Sequence, residues 1–128
     1  MRFRPFILSL AVAGMLSLYS CGNDKVPDVD TIGIGSFNIE IFGQSKARKK
    51  EVMSILANIL SRYDIVAIQE IRDKSMSALP KLIEQLDEVS GKEFDYVISP
   101  RLGRSNSKEQ YAFIYNTATL EYTGSSFV

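Results

Sequence analysis

Four side chains carry most of the chemistry this sequence offers: Asn38, Glu70, Arg72 and Glu109. The β-branched and apolar runs around them place each near a strand end. Asn38 closes the Gly-rich run TIGIGSFN that begins at Thr31, Glu70 follows DIVAIQ, Arg72 comes just after it, and Glu109 precedes QYAFIY. In open α/β sheets, sites form in crevices beyond strand ends. A carboxylate directly after an apolar strand, with an asparagine from an adjacent strand end, makes a hard-oxygen site suited to Mg²⁺. Taken singly, each of the four also reads as an exposed loop residue. The 128-residue chain has no histidine and one cysteine. Catalysis confined to it has to run on carboxylates, lysine, tyrosine or a metal, and a disulfide framework or Cys-rich zinc site is excluded.

The elements that must position these residues alternate between strand and helix patterns. After the strand ending at Asn38, the spacing turns helical from Ser45, a plausible N-cap. Val52, Ile55, Leu56, Ile59, Leu60 and Tyr63 then form one apolar stripe. DIVAIQ (64–69) has the nearly continuous apolar character of a strand buried on both faces. The segment from Ser77 to Val89 is a second helix, with Leu79, Leu82, Ile83, Leu86 and Val89 on one face, Pro80 in its first turn and Gly91 at its end. FDYVIS (94–99) and QYAFIY (110–115) are aromatic and β-branched and read as a hairpin-like pair across a Pro/Gly/Ser/Asn-containing loop. The stretch 117–128 is strand-like. The sum is an α/β arrangement, a mixed β-sheet covered by helices. With 45% apolar and 23% charged residues and 15 cations against 15 anions, the chain holds one domain at most and is no disordered tail, coiled coil or strongly basic clamp.

The first twenty residues are expected to be a leader. Arg2 and Arg4 precede a run of weakly polar to apolar residues from Phe6 to Leu18, too short to span a bilayer, which takes about 20 residues. The single cysteine, Cys21, follows Leu18-Tyr19-Ser20, which resembles the lipobox of a bacterial lipoprotein signal. The bland alternative is an ordinary signal peptide with an incidental cysteine. The resemblance implies a diacylglyceryl thioether on Cys21, and more than one acyl chain makes anchoring stable. The expected organisation is therefore a signal peptide over 1–20, a polar tether over 21–30 and a folded domain over 31–128. Localisation follows as a lipid anchor on the bacterial cell envelope, at the outer membrane. Without the leader the chain keeps 13 cations and 15 anions, so binding a polyanion needs a local patch.

Three segments are recognisable in order: IGSFNI around Asn38, RYDIVAIQEIRD from Arg62 to Asp73, and LGR (102–104) with KEQYAF (108–113). They resemble the endonuclease/exonuclease/phosphatase superfamily and, more narrowly, its deoxyribonuclease I-like branch. The resemblance implies that Glu70 is a ligand of a catalytic divalent metal, Mg²⁺ with Mn²⁺ or Ca²⁺ as options. It places Asn38 beside Glu70, near both the metal and the scissile phosphate. Arg72 matches an arginine that contacts DNA, with an ion pair to Asp73 or Glu70 as the alternative. Glu109 matches the carboxylate that orients a catalytic histidine, and Arg104 is placed in a loop near phosphate. The family commonly has tyrosine two positions before that glutamate. Ser107 stands there, so a packing contact to DNA is lost, although its hydroxyl can still bind phosphate. Lys46, Arg48, Lys49 and Lys50 form the only cationic cluster. Such a run is ordinarily a solvated helix face, and backbone phosphate is the functional option.

Members of this superfamily pack two similar α/β halves into a four-layer sandwich, and the resemblance covers about one half. The histidines that activate water and protonate the leaving group belong to the other half. The expectation is thus the N-terminal half of a four-layer α/β sandwich, the amino-terminal part of a metal-dependent endonuclease acting on DNA and inactive alone. Its missing C-terminal half is then an implied partner, beside DNA and the membrane. The alternatives are a catalytically dead, membrane-tethered binding or self-associating module, and a phosphoesterase of the same superfamily acting on non-nucleic substrates.

Overall fold

The computed structural model describes residues 31–104 and 107–124. The segments expected as leader and tether, with Cys21, and residues 125–128 lie outside the described residues. The element order is β1 (Ile34–Phe42), α1 (Gln44–Ala47), α2 (Lys50–Leu60), β2 (Ile65–Ile71), α3 (Ala78–Ser90), β3 (Phe94–Ile98) and β4 (Gln110–Asn116). The four strands form one mixed sheet in the order β1-β2-β4-β3. β1 and β2 are parallel, as a helical crossover between them requires, whereas β4 runs antiparallel to both β2 and β3. The hairpin-like pairing of the last two strands is observed, with Phe94 opposite Asn116 and Ile98 opposite Ala112.

One sheet face carries the core. Ile39 and Phe42 of β1, Val66, Ile68 and Ile71 of β2, Ala112 and Ile114 of β4 and Phe94 of β3 are buried with apolar residues of α2 and α3. Burying each large apolar side chain fully is worth about 1.5–3 kcal/mol, so this layer is what holds the helices to the sheet. The buried stripe of α2 is Met53, Leu56, Ala57 and Leu60, while Ile55 stays 60% exposed. Of the expected stripe, Leu56 and Leu60 are buried and Val52 and Tyr63 pack against the core, whereas Met53 and Ala57 take the place of Ile55 on the buried face. On α3 the buried set is Ala78, Leu79, Leu82, Ile83 and Leu86, and Val89 lies at the exposed margin. The opposite sheet face has no helix among the described residues. Ile34, Phe113 and Tyr111 there are 76%, 51% and 46% exposed.

Several boundaries differ from the sequence reading. β1 continues four residues past Asn38, and β2 continues two past Gln69, so Asn38 and Glu70 lie inside strands. The helical segment expected from Ser45 is split. α1 begins after Gly43 and ends at Arg48, and α2 starts after Lys49, whose extended backbone (ψ 98°) breaks the helix. Neither helix start has a side-chain cap. Residues 117–119 form a turn and 120–124 have no regular structure, so the expected strand is absent among the described residues.

Candidate functional site

Glu70 occupies an irregularity shared by both of its neighbours. Asn38 pairs with Gln69 and Phe42 with Ile71, so Ile39, Glu40 and Ile41 of β1 stand opposite Glu70 alone. On the other side Ile68 pairs with Ala112 and Ile71 with Gln110, leaving Gln69 and Glu70 opposite Tyr111. Bulges of this kind re-aim side chains and concentrate beside active sites. The backbone shows the cost: Glu40, Ile41 and Glu70 have φ of 51°, 52° and 62°. A left-handed conformation costs a residue with a side chain about 1–2 kcal/mol, and a β-branched residue such as Ile41 rarely adopts it. It persists only where surrounding bonds over-determine it.

Those bonds come from the site itself. Asn38 Nδ2 donates to Glu70 Oε1 at 2.8 Å, and Asn38 Oδ1 accepts the Glu40 N–H at 2.8 Å. The Ile41 N–H donates to Glu70 Oε2 at 3.3 Å. Lys46, at the end of α1, donates from Nζ to the Ile39 carbonyl at 2.9 Å and to the Glu40 carbonyl, and its ammonium lies 3.7 Å from the Glu40 carboxylate. The Asn38 hydrogen bond holds the Glu70 carboxyl below its usual range, against a smaller opposing effect of burial, with further help from the Ile41 amide, Arg72 and Lys46. Glu70 is thus an anion at neutral pH, held by both oxygens, each keeping lone-pair capacity.

This donor set fits a hard divalent cation in part. Glu70 supplies a carboxylate and Asn38 a carbonyl oxygen with a second lone pair, and Mg²⁺ is commonly held by one or two carboxylates with water and phosphate completing its shell. Among the described residues no three His, Cys, Asp or Glu side chains gather into a metal cage.

A second pair lies beside the first. Arg72 Nε donates to Glu109 Oε1 at 3.0 Å, and its Nη2 bonds the same oxygen. The ion pair considered from sequence was with Asp73 or Glu70. The partner is Glu109 because Ile71 pairs with Gln110, which sets residues 72 and 109 next to each other across the antiparallel ladder. Glu109 is fixed from behind by a two-bond bridge with Leu102, 2.8 and 2.9 Å. Gly103 turns this loop with φ 129°, a conformation favouring glycine. Arg104 and Ser107 are exposed on the same loop.

Sequence reasoning passed over Asp73. It is 4% exposed and accepts from the Ser77 and Ala78 amides (2.8 and 2.7 Å), the Ser75 amide and hydroxyl (3.0 and 2.6 Å) and Gln44 Nε2 (3.3 Å). Burial opposes its ionisation, but these bonds outweigh it and bring its pKa down to about 2. Asp73 therefore begins α3 from outside the helix and ties it to α1. The run D-x-S-x-S before an apolar helix was the available signal. The Arg72 N–H also bonds the Phe42 carbonyl at 2.7 Å, and a Cβ at Gly43 would lie 3.1 Å from the Arg72 carbonyl, so the two loops are in close contact. Ile41, Gly43, Gln44, Ser45, Arg72, Asp73, Lys74 and Ser75 line an open cavity of about 360 Å³ there.

Comparison with known proteins points to one group. No protein-family model matches the chain. The chain is 46% identical over 82 residues to deoxyribonuclease-1-like 2 of Homo sapiens, covering 64% of this chain and 27% of the relative. It is 40% identical over 85 residues to deoxyribonuclease-1 of Homo sapiens, covering 66% and 30% respectively. For deoxyribonuclease-1 of Sus scrofa the figures are 37% over 106 residues, 83% and 34%. The chain spans about a third or less of the length of these curated relatives.

Proposed function

We propose that this chain is the amino-terminal portion of a divalent-metal-dependent endonuclease that hydrolyses phosphodiester bonds in DNA, and that it is inactive alone. The observation that carries this reading is the Glu70 carboxylate bonded to Asn38 within a doubly bulged strand, in a chain 37–46% identical to deoxyribonucleases over the matched residues. Glu70, with Asn38, is assigned to hold Mg²⁺, with Mn²⁺ or Ca²⁺ as substitutes. When bound, such a cation stabilises the negative charge that develops on phosphate oxygens during hydrolysis. Asn38 fixes the Glu70 carboxylate by its Nδ2 bond and adds no repulsive charge toward phosphate. Arg72 carries a guanidinium suited to backbone phosphate, and its bond to Glu109 holds both side chains at the rim of the site. Arg104 and Ser107 are assigned to phosphate from their loop. Glu109 is assigned to orient a histidine from further polypeptide, since this sequence contains none.

The uncovered sheet face is where that further polypeptide, the second half of a four-layer sandwich, is proposed to pack. The exposure of Ile34, Tyr111 and Phe113 supports this. The same exposure favours the second reading, a self-associating module without catalysis. Plasmid nicking with Mg²⁺ separates the two. The 128-residue chain is expected to show none, and a polypeptide extended to the length of the relatives is expected to nick, with Glu70→Gln abolishing it. Nicking by the chain alone refutes its inactivity, and nicking by the Glu70→Gln protein refutes the metal assignment. Cys21 is proposed to carry the lipid anchor to the bacterial envelope. Cys21→Ser is expected to move the protein from the membrane to the soluble fraction, and continued sedimentation with membranes would count against it.

A further inference from the structure

Lys46 belongs to the chain's one cationic cluster, yet its ammonium is spent on the backbone. It bonds the carbonyls of Ile39 and Glu40, two of the three β1 residues that have no partner in the register with β2. Its side chain is only 29% exposed, whereas the Glu40 carboxylate beside it is 86% exposed. The carbonyl bonds, rather than the surface ion pair, are therefore the part that orders the side chain. The peptide units that Lys46 holds belong to the left-handed pair Glu40 and Ile41, and the Ile41 N–H is the group that meets Glu70 Oε2. Asn38 Oδ1 holds the intervening Glu40 N–H. The two peptide units joining Ile39, Glu40 and Ile41 are thus bonded by Asn38, Glu70 and Lys46, and Lys46 is the one of the three outside the two strands.

We propose that Lys46 is a positioning residue for the Glu70 carboxylate: by bonding the Ile39 and Glu40 carbonyls it holds the left-handed Glu40-Ile41 backbone in which the Ile41 amide fixes Glu70 Oε2. This rests on the reading of Glu70 as a metal ligand and adds how the ligand is aimed. The role has a diagnostic sign. Removing a cation next to a metal site strengthens cation binding by Coulomb's law, so a Lys46 that acts only through charge predicts tighter binding in its absence. A Lys46 that aims the carboxylate predicts weaker binding.

The test is Mn²⁺ titration of the full 128-residue chain by amide NMR, with hydrogen exchange on the same resonances. In the wild type, Mn²⁺ is expected to broaden the amides of residues 38–41 and 70. Lys46→Met is expected to weaken Mn²⁺ binding about tenfold, the loss typical when a ligand's supporting partner is removed. Exchange at the Ile41 amide should rise while Ile68 and Leu82 in the core keep their protection. Lys46→Arg should retain both properties. Ile41→Gly in the Lys46→Met background should recover Mn²⁺ affinity, because glycine adopts φ near 52° without strain. Unchanged or tighter Mn²⁺ binding in Lys46→Met overturns the proposal, as does failure of Ile41→Gly to restore it. Protection lost equally at Ile41, Ile68 and Leu82 overturns it too, since the role is then general stability. Absence of Mn²⁺ broadening in the wild type refutes the metal reading instead, and Ile41 exchange then decides the positioning role alone.

Discussion

Arg72 and Glu109 both read from the sequence as residues that face outward toward other molecules, yet in the fold they first face each other. The guanidinium engages Glu109 Oε1 through two nitrogens, with the side chains 30% and 25% exposed. At that exposure the pair is worth about 0.5–1 kcal/mol. A double-mutant cycle with Arg72→Gln and Glu109→Gln, followed by urea denaturation, should return a coupling energy of that size. Coupling indistinguishable from zero would mean that the pair does not persist in solution. The Asn38 and Glu70 juxtaposition was legible in the sequence, because a strand, a helical segment and a second strand in succession bring the like ends of two adjacent strands together. Arg72 with Glu109 was not legible, because it depends on which residues of β2 and β4 stand opposite.

Among the elements, α3 depends on a residue that precedes it. Ser77, the N-cap by position, makes no side-chain cap, and Asp73 accepts the first amides instead. The Asp73 carboxyl has a folded pKa of about 2 against an ordinary 3.8. Its stabilising contribution is therefore fully present above pH 3.8 and is lost as pH falls toward 2. Asp73→Asn should cost about 2 kcal/mol at pH 7, and the gap to wild type should close across the acid range. Urea melts from pH 7 down to pH 2.5 read this directly, and a gap independent of pH would show that the charge contributes nothing. The strand and helix types followed from aromatic and β-branched composition, as in FDYVI, and from helical spacing, as in Leu79, Leu82, Ile83 and Leu86. The irregular course of β1 past Asn38 did not follow. The alternation Phe37-Asn38-Ile39-Glu40-Ile41 was there to extend the strand, but the bulge that interrupts its pairing and leaves Ile41 exposed has no local signature.

For the whole molecule, the unequal treatment of the two sheet faces is the main consequence. One face is sealed by α2 and α3, and the other presents Ile34, Tyr111 and Phe113. Contiguous apolar exposure of this kind drives association. The 128-residue chain is expected to self-associate in sedimentation velocity, and Ile34→Lys with Phe113→Lys should shift it toward monomer. These side chains are more than half exposed, so the double variant should keep its stability within about 1 kcal/mol. A wild type that stays monomeric at high concentration would contradict this.

The sequence by itself determined the order and type of the four strands and of the helical segments between them, the α/β class, and the choice of Asn38, Glu70, Arg72 and Glu109 as polar residues in or next to strands. Each of these is written in local spacing or in residue chemistry. Tertiary structure alone decided the register that joins Arg72 to Glu109, the double bulge that aims Glu70, the use of Lys46 on backbone carbonyls, and Asp73 as the start of α3. The first two rest on pairings between separate strands, the third on α1 lying beside β1, and the last on the loop before α3. The energy of a left-handed Ile41 is unfavourable when considered locally, and only the assembled bonds from Asn38, Glu70 and Lys46 make it the stable choice.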